Sequence, residues 1–372
     1  MRHIKELQQL LSTYFPFFPH KLQCLSGFIL GLMIVKCVNL SKIASTFQTE
    51  TKKDSTYKRL QRFIKGLNVT PGQLLNMIFD VFQLEGKKLH LCMDRTNWKF
   101  GKIHINYLVI SIAYKGIATP VIWSLLIDKK CGNSNFDDRR RLIDRLLTFL
   151  DPSRIEVILA DREFLSEDTI AYLHSKNIPF VIRAKENFVT CNSQGFTVSL
   201  AQVFETLPPG KTKHLKHQRS LLGSDVYISA KRLKDGELLI LVSKHRFNDV
   251  FDKYKIRWEI ETLFSAVKKR GFDLESTHIV KPERLSNLFF VVSIAFIWGY
   301  RQGDIIVAAK PHLLKPKKHG YPQHSIVRIG IDAITKAISL ITIKPRNIIA
   351  SMRMVFKQSS SKAGIQKWLS VL

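Results

Sequence analysis

Lys88-Leu89-His90-Leu91-Cys92-Met93-Asp94 alternates residue by residue, with Leu89, Leu91 and Met93 on one face. A period of two marks a half-buried strand. Further along, Ile105 to Tyr114 and Ile117 to Ile127 are long β-branched and aromatic runs, parted by Lys115-Gly116, which predicts a hairpin. Phe136 to Leu150 has the spacing of an amphipathic helix, and Ile155 to Ala160 is a short apolar strand of the buried kind. Ser166 to Ser175 reads as helix and Ile178 to Arg183 as strand. Asp94 and Asp161 each fall at the C-terminal end of a predicted strand, where ligands of open α/β sheets gather.

Three antiparallel strands followed by alternating helices and strands is the order of an α/β domain of the ribonuclease H-like class. Residues 185–245 interrupt that order with short strands such as Val226 to Ala230 and Leu238 to Ser243, set between Gly195, Pro208-Pro209-Gly210, Gly223 and Gly236. They predict a β-rich insertion. Helix returns at about 249 and is expected to run past 270. On the N-terminal side, residues 1–85 read as helical. Leu22 to Val38 is hydrophobic, Ser41 is placed as an N-cap, and Asp54-Ser55 is placed to cap a basic helix from Thr56 to Lys65. Short helix, turn, basic helix is the pattern of a helix-turn-helix reader of DNA, and also of a plain helical hairpin with a solvated basic face. Three parts are therefore expected: a helical DNA-binding domain at 1–85, the catalytic domain at 86–300, and a basic helical region at 301–372. That last region carries 13 Lys or Arg against only Asp304 and Asp332, a one-sided balance that suits a DNA-contacting or dimerising surface.

Charge narrows the class of partner. The 372 residues carry 58 Lys or Arg against 30 Asp or Glu, a formal net charge of +28, which a folded chain tolerates most easily beside a polyanion. With 45% hydrophobic residues the chain can bury a core, which excludes a disordered basic tail as the whole molecule. Cys24, Cys37, Cys92, Cys131 and Cys191 are odd in number and widely spaced, without Cys-x-x-Cys, and read as reduced thiols of a cytoplasmic protein. The apolar runs Leu22 to Val38 and Leu285 to Trp298 are interrupted by polar residues and fall short of the ~20 apolar residues of a spanning helix. Buried helices are expected there, with no membrane partner.

The chemistry concentrates in Tyr254-Lys255-Ile256-Arg257-Trp258-Glu259-Ile260-Glu261, followed by Lys268. At about 100° per helical residue, Arg257, Glu261 and Lys268 lie within roughly 60° of Tyr254 on one stripe. Ile256, Ile260, Leu263, Phe264 and Val267 share the neighbouring face, and Glu259 points elsewhere. A lone carboxylate among cations is usually a surface ion pair. Here Glu261 follows two strand-end aspartates and shares its stripe with a tyrosine and two cations. In-line cutting of a phosphodiester needs the attacking and leaving oxygens stabilised together, which two Mg²⁺ ions about 3.5–4 Å apart do well. Hard cations select carboxylate oxygens, so Asp94, Asp161 and Glu261 are the expected catalytic residues and metal ligands. Arg257 and Lys268 are suited to gripping phosphates.

Tyr254, Arg257, Glu261 and Lys268 match, at every spacing, the Tyr-x₂-Arg-x₃-Glu-x₆-Lys signature of a group of bacterial insertion-sequence transposases with a DDE triad. Met93 to Trp98 resembles the motif around that group's first aspartate. Leu159 to Phe164 resembles that around the second, where glycine is more usual at the position of Glu163. The resemblance covers roughly 86–300. It implies cut-and-paste chemistry: Mg²⁺-dependent cleavage at transposon terminal inverted repeats, with Mn²⁺ able to stand in, then strand transfer into target double-stranded DNA. It further implies DNA-binding roles for Tyr254, Arg257 and Lys268, a homodimer holding two paired ends, and a DNA-associated bacterial location. Hairpin-forming members stack a flipped base partly on a tryptophan of the insertion, and residues 185–245 contain none; Phe188, Phe196 or Tyr227 would have to substitute, or the hairpin step differs. Trp98 suits core packing and DNA stacking equally. Two alternatives remain open: a ribonuclease H-like nuclease that cuts without joining, and a DNA-binding derivative that has lost catalysis.

Overall fold

The computed structural model describes residues 2–47, 51–127, 132–192, 194–318, 322–341 and 343–357. Cys131 and Trp368 lie outside them. In chain order the first helices are α1 (Arg2–Ser12), α2 (Pro19–Val35), α3 (Leu40–Ala44), α4 (Lys53–Lys65) and α5 (Pro71–Phe82). Next come β1 (Leu89–Phe100), β2 (Ile103–Tyr114), β3 (Ile117–Leu125), α6 (Phe136–Leu147), β4 (Ile155–Ala160), α7 (Glu167–Ser175) and β5 (Phe180–Ala184). The segment that follows holds β6 (Val189–Cys191), β7 (Thr197–Ser199), α8 (Leu200–Val203), β8 (Thr212–His214), β9 (Arg219–Leu221), β10 (Ser224–Arg232) and β11 (Leu238–Ser243). The chain continues with α9 (Val250–Lys255), α10 (Trp258–Val267), α11 (Pro282–Ala309), α12 (Ile326–Ser339) and α13 (Pro345–Phe356).

These elements form two compact units. One contains residues 86–98 and 104–263; the other contains 1–85, 99–103 and 264–372. The division differs from the three expected parts, because residues 264–372 group with the N-terminal helices. The reason is α11. Its 28 residues are apolar nearly all round, and most of its apolar window is buried, as expected of a core helix that needs neighbours on every side. By length and composition it is the one described helix able to cross a membrane. It packs instead on α2, α4, α5, α12 and α13. Its closest approach is to α12, where a Cβ placed on Gly330 would lie 1.8 Å from the Gly299 carbonyl oxygen. Only hydrogen fits at that crossing. Asn287 of α11 donates to the carbonyls of Ile64 (2.8 Å) and Leu67 (3.0 Å), closing the C-terminal end of α4. Two caps differ from expectation. Asn39, rather than Ser41, caps α3, its Oδ1 accepting from the amides of Ser41 and Lys42, and α4 starts at Lys53 with Asp54 already in its first turn.

The other unit is built on a mixed sheet with strand order β3-β2-β1-β4-β5-β11-β10-β8, and β9 pairs with β10. Lys115 and Gly116 both take positive φ (49° and 89°), the conformation a two-residue hairpin demands, and β2 and β3 pair antiparallel across them. β1 and β4 run parallel in the register Met93↔Ala160, and β4 and β5 are parallel too. α6 is closed by a capping box between Asn135 and Asp138, and α7 by Ser166. The 185–245 segment is β-rich, and its strands extend the main sheet: β11 pairs antiparallel with β5, and β10 with β11. Among the described residues, β6 and β7 form a separate two-stranded ribbon.

Candidate active site

Parallel pairing of Met93 with Ala160 sets the residues that follow, Asp94 and Asp161, side by side at roughly the 4.8 Å spacing of neighbouring strands. Asp161 stands just past the end of β4, as expected. Asp94 does not end its strand: β1 continues to Phe100, because after its parallel ladder with β4 it runs on into the hairpin with β2. Each aspartate accepts the next residue's amide on its Oδ1, Asp94 from Arg95 and Asp161 from Arg162, both at 2.7 Å. Those bonds fix the carboxylate planes.

The stretch 254–268 is not the single helix that its spacing predicts. α9 ends at Lys255, Ile256 and Arg257 form a turn, α10 begins at Trp258 and ends at Val267, and Lys268 lies beyond it. No glycine or proline marks the break. Tertiary contacts do: Cys92 Sγ donates to the Ile256 carbonyl at 3.6 Å, and the Arg257 side chain is drawn to Asp94. Arg257 is 5% exposed, and its guanidinium joins two of the acids, Nη1 lying 3.4 Å from Asp94 Oδ2 and Nη2 3.0 Å from Glu261 Oε1. The same group lies over the rings of Trp258 (4.8 Å) and Tyr254 (5.7 Å). Tyr254 Oη donates to Asp161 Oδ1 at 3.5 Å. Tyr254, Arg257, Glu261, Asp94 and Asp161 are thus one connected group. Lys268 is not joined to it through any of these contacts; its Nζ sits 3.0 Å from Glu275 Oε1.

Burial pushes the Asp94 carboxyl up to about 6, against the opposing pull of the Arg95 amide and Arg257, and with help from the negative charges of Glu163 and Asp161. Burial works against the Arg257 charge as well, but Tyr254, Asp94, Asp161 and Glu261 together hold it above the ordinary arginine range. Arg257 Nε is buried and has no hydrogen-bond acceptor among the described residues.

Three contacts at the site's margin have no counterpart in the sequence reading. Glu259, read only as pointing elsewhere, accepts from the Gly116 amide at 3.0 Å and so ties α10 to the β2–β3 turn, and burial raises its carboxyl to about 7. Arg95 and Glu163 form a two-bonded pair, Nε to Oε1 at 2.6 Å and Nη2 to Oε2 at 2.9 Å, linking the residue after one aspartate to the second residue after the other. A buried Arg139 holds the same loop by donating to the carbonyls of Ser134 (2.6 Å) and Glu163 (2.8 Å). The glutamate at 163 was the one visible signal, as a departure from the resembled motif. Of the aromatics considered for base stacking, Trp98 is buried and stacked on Tyr107, whereas Phe196 is 66% exposed; Trp258, on α10, is 57% exposed.

The donor set suits a hard divalent cation: two adjacent carboxylates on neighbouring strands, one raised by burial, and a third acid in the same group. Among the described residues, no three His, Cys, Asp or Glu side chains stand close enough to hold an ion on their own. Between Asp94 and Glu261 the positive charge is the Arg257 guanidinium.

The sequence model of one family, described as the transposase DDE domain, matches residues 85–298. No match was found among the curated proteins compared.

Proposed function

This chain belongs to the transposase DDE-domain family, and from that premise we propose that it cleaves DNA at the ends of a transposable element and joins those ends to target DNA. Within that family we assign it to the Tyr-x₂-Arg-x₃-Glu-x₆-Lys group, with a ribonuclease H-like core formed by β1 to β5, and with Asp94, Asp161 and Glu261 as the catalytic acids. The observation that supports it is the connected group around Arg257, which gathers residues from three separate stretches of chain into one polar cluster. Mg²⁺, held by the three carboxylates, would supply Lewis acidity to the scissile phosphate and to the attacking oxygen. The chain's own residues do the rest. The Arg95 and Arg162 amides hold the aspartates in fixed planes. Arg257 offers a buried Nε–H that lacks an acceptor, and a phosphate oxygen is the acceptor its charge favours. The Tyr254 hydroxyl, on Asp161, is placed to orient the same phosphate. Lys268 serves as a point charge for the DNA backbone once released from Glu275, and the active form is a homodimer on two transposon ends.

The test uses a supercoiled plasmid carrying the gene with its native flanks, incubated with the full chain and Mg²⁺. Wild type should release a fragment with free 3′ ends and yield joined products. Asp94→Ala, Asp161→Ala and Glu261→Ala should each reduce cleavage at least ~1,000-fold while DNA binding persists. Cleavage with no joining in any product would assign the chain to the nucleases instead. Normal cleavage by any one of these variants would remove that residue from the site.

A further inference from the structure

A cleft of about 570 Å³ opens in the helical unit, lined by none of the three acids. One wall is α4, which presents Lys53, Asp54, Tyr57 and Gln61; the other is the segment from Ser276 to Arg284, which enters α11 and presents Lys281 and Arg284. The walls are more than two hundred residues apart in sequence, and the Asn287 bonds to the end of α4 hold them together. Lys53, Lys281 and Arg284 form no ion pair with a described carboxylate. Some cations elsewhere in the same unit are matched: Lys36 and Arg328 with Asp332, Arg353 with Glu6, Arg301 with Asp304, Lys268 with Glu275. The single acid lining the cleft is Asp54, which is exposed. Three cations with no described carboxylate partner thus face one groove against a single exposed acid.

Resting on the proposed function, we propose that this cleft seats the phosphodiester backbone of double-stranded DNA, with Lys53, Lys281 and Arg284 on the phosphates and Tyr57 and Gln61 as neutral hydrogen-bonding partners. The residues after the signature helix then act as a second wall for DNA, opposite α4, and Asp54 weakens the grip. Each phosphate neutralised releases counterions, so each cation removed lowers the slope of log affinity against log salt by about 0.9.

The experiment is fluorescence anisotropy of the full-length chain with a labelled duplex of arbitrary sequence, about 30 base pairs long, titrated at several KCl concentrations. The variant Lys53→Gln/Lys281→Gln/Arg284→Gln should bind at least ~10-fold more weakly at low salt, with the slope reduced by about 2 to 3. Asp54→Asn should bind about two- to threefold more tightly, an outcome that misfolding cannot mimic. A triple variant with wild-type affinity and slope overturns the proposal, as does Asp54→Asn binding no better than wild type. Competition by millimolar deoxynucleoside monophosphate would make the cleft a single-nucleotide site and also overturn it. A wild-type chain that binds no duplex would overturn the proposed function, and the cleft with it.

Discussion

The α11–α12 crossing and the Arg257 cluster are both buried, and they are stabilised in opposite ways. At the crossing, two backbones meet through glycine with no side chain between them, and nearby Trp298 Nε1 donates to Ser351 Oγ (3.1 Å), which donates to Gln302 Oε1 (2.6 Å). Around Arg257, carboxylates are held out of water at a cost visible in the raised Asp94 and Glu259. The contrast is between a region held by close apolar packing and one that keeps buried charge at a cost in stability.

The sharpest way to break the comparison is Gly330→Val. The Gly299 oxygen lies only 1.8 Å from where a Cβ at 330 would stand, so the helices must separate. The loss of stability should be on the order of 4 kcal/mol or more, read by denaturant or thermal unfolding. A loss below about 1 kcal/mol would show that the crossing tolerates a gap.

Asp94→Asn should act in the opposite direction. Its folded carboxyl lies near 6 against an ordinary 3.8, so the charged form is disfavoured in the folded state. That penalty is fully present above pH 6, shrinks as the pH falls toward 4, and is absent where the group is protonated in both states. In chelator-containing buffer at pH 8 the variant should be more stable by roughly 1–2 kcal/mol, with the difference gone near pH 4. A variant less stable than wild type at pH 8 would mean that the Arg257 pair outweighs the burial penalty. Mg²⁺ added at pH 8 should raise the wild-type unfolding midpoint and leave that of Asp94→Asn nearly unmoved; equal shifts would place the ion elsewhere.

Breaking the Arg95–Glu163 pair sharpens the comparison further. Glu163→Gln leaves Arg95 with weaker acceptors and should cost about 1–2 kcal/mol, with Arg95→Met/Glu163→Gln recovering part of it. Strict additivity in that double-mutant cycle would argue against direct coupling. The smallest effect is at His174, packed edge-on to Phe180 and lowered below 6.5 by burial and the positive charge of Lys244. A lowered histidine binds its proton more weakly when folded, so it costs stability as the pH falls below about 6.5. His174→Gln should flatten that part of the stability curve by less than about 1 kcal/mol; an unchanged slope would exclude the assignment.

Much of the sheet unit was legible because its periods are clean. The alternation of 88–94, the Lys115-Gly116 turn and the apolar run 155–160 led directly to β1, the hairpin and β4, and the parallel neighbours then had to carry Asp94 and Asp161 together. The break at Ile256–Arg257 was illegible because its causes, Cys92 and Asp94, lie some 160 residues upstream and nothing local signals it. For the same reason the spacing places Lys268 on a stripe that the helix, ending at Val267, does not reach. The grouping of 264–372 with the N-terminal helices was hidden too, since apolar α11 advertises burial without naming its neighbours.

The ladder from β5 through β11 to β10 has a mechanical consequence. A segment inserted between two motifs would ordinarily be free to swing on its connections. Here it is stitched backbone-to-backbone onto the strand beside β4, so displacing it as a body would unzip the sheet that aligns the aspartates. Any movement of this segment that keeps the acids aligned is therefore confined to parts outside that ladder; the β6–β7 ribbon is such a part, tied to β9 by the Thr190 hydroxyl on the Ser220 carbonyl (2.8 Å).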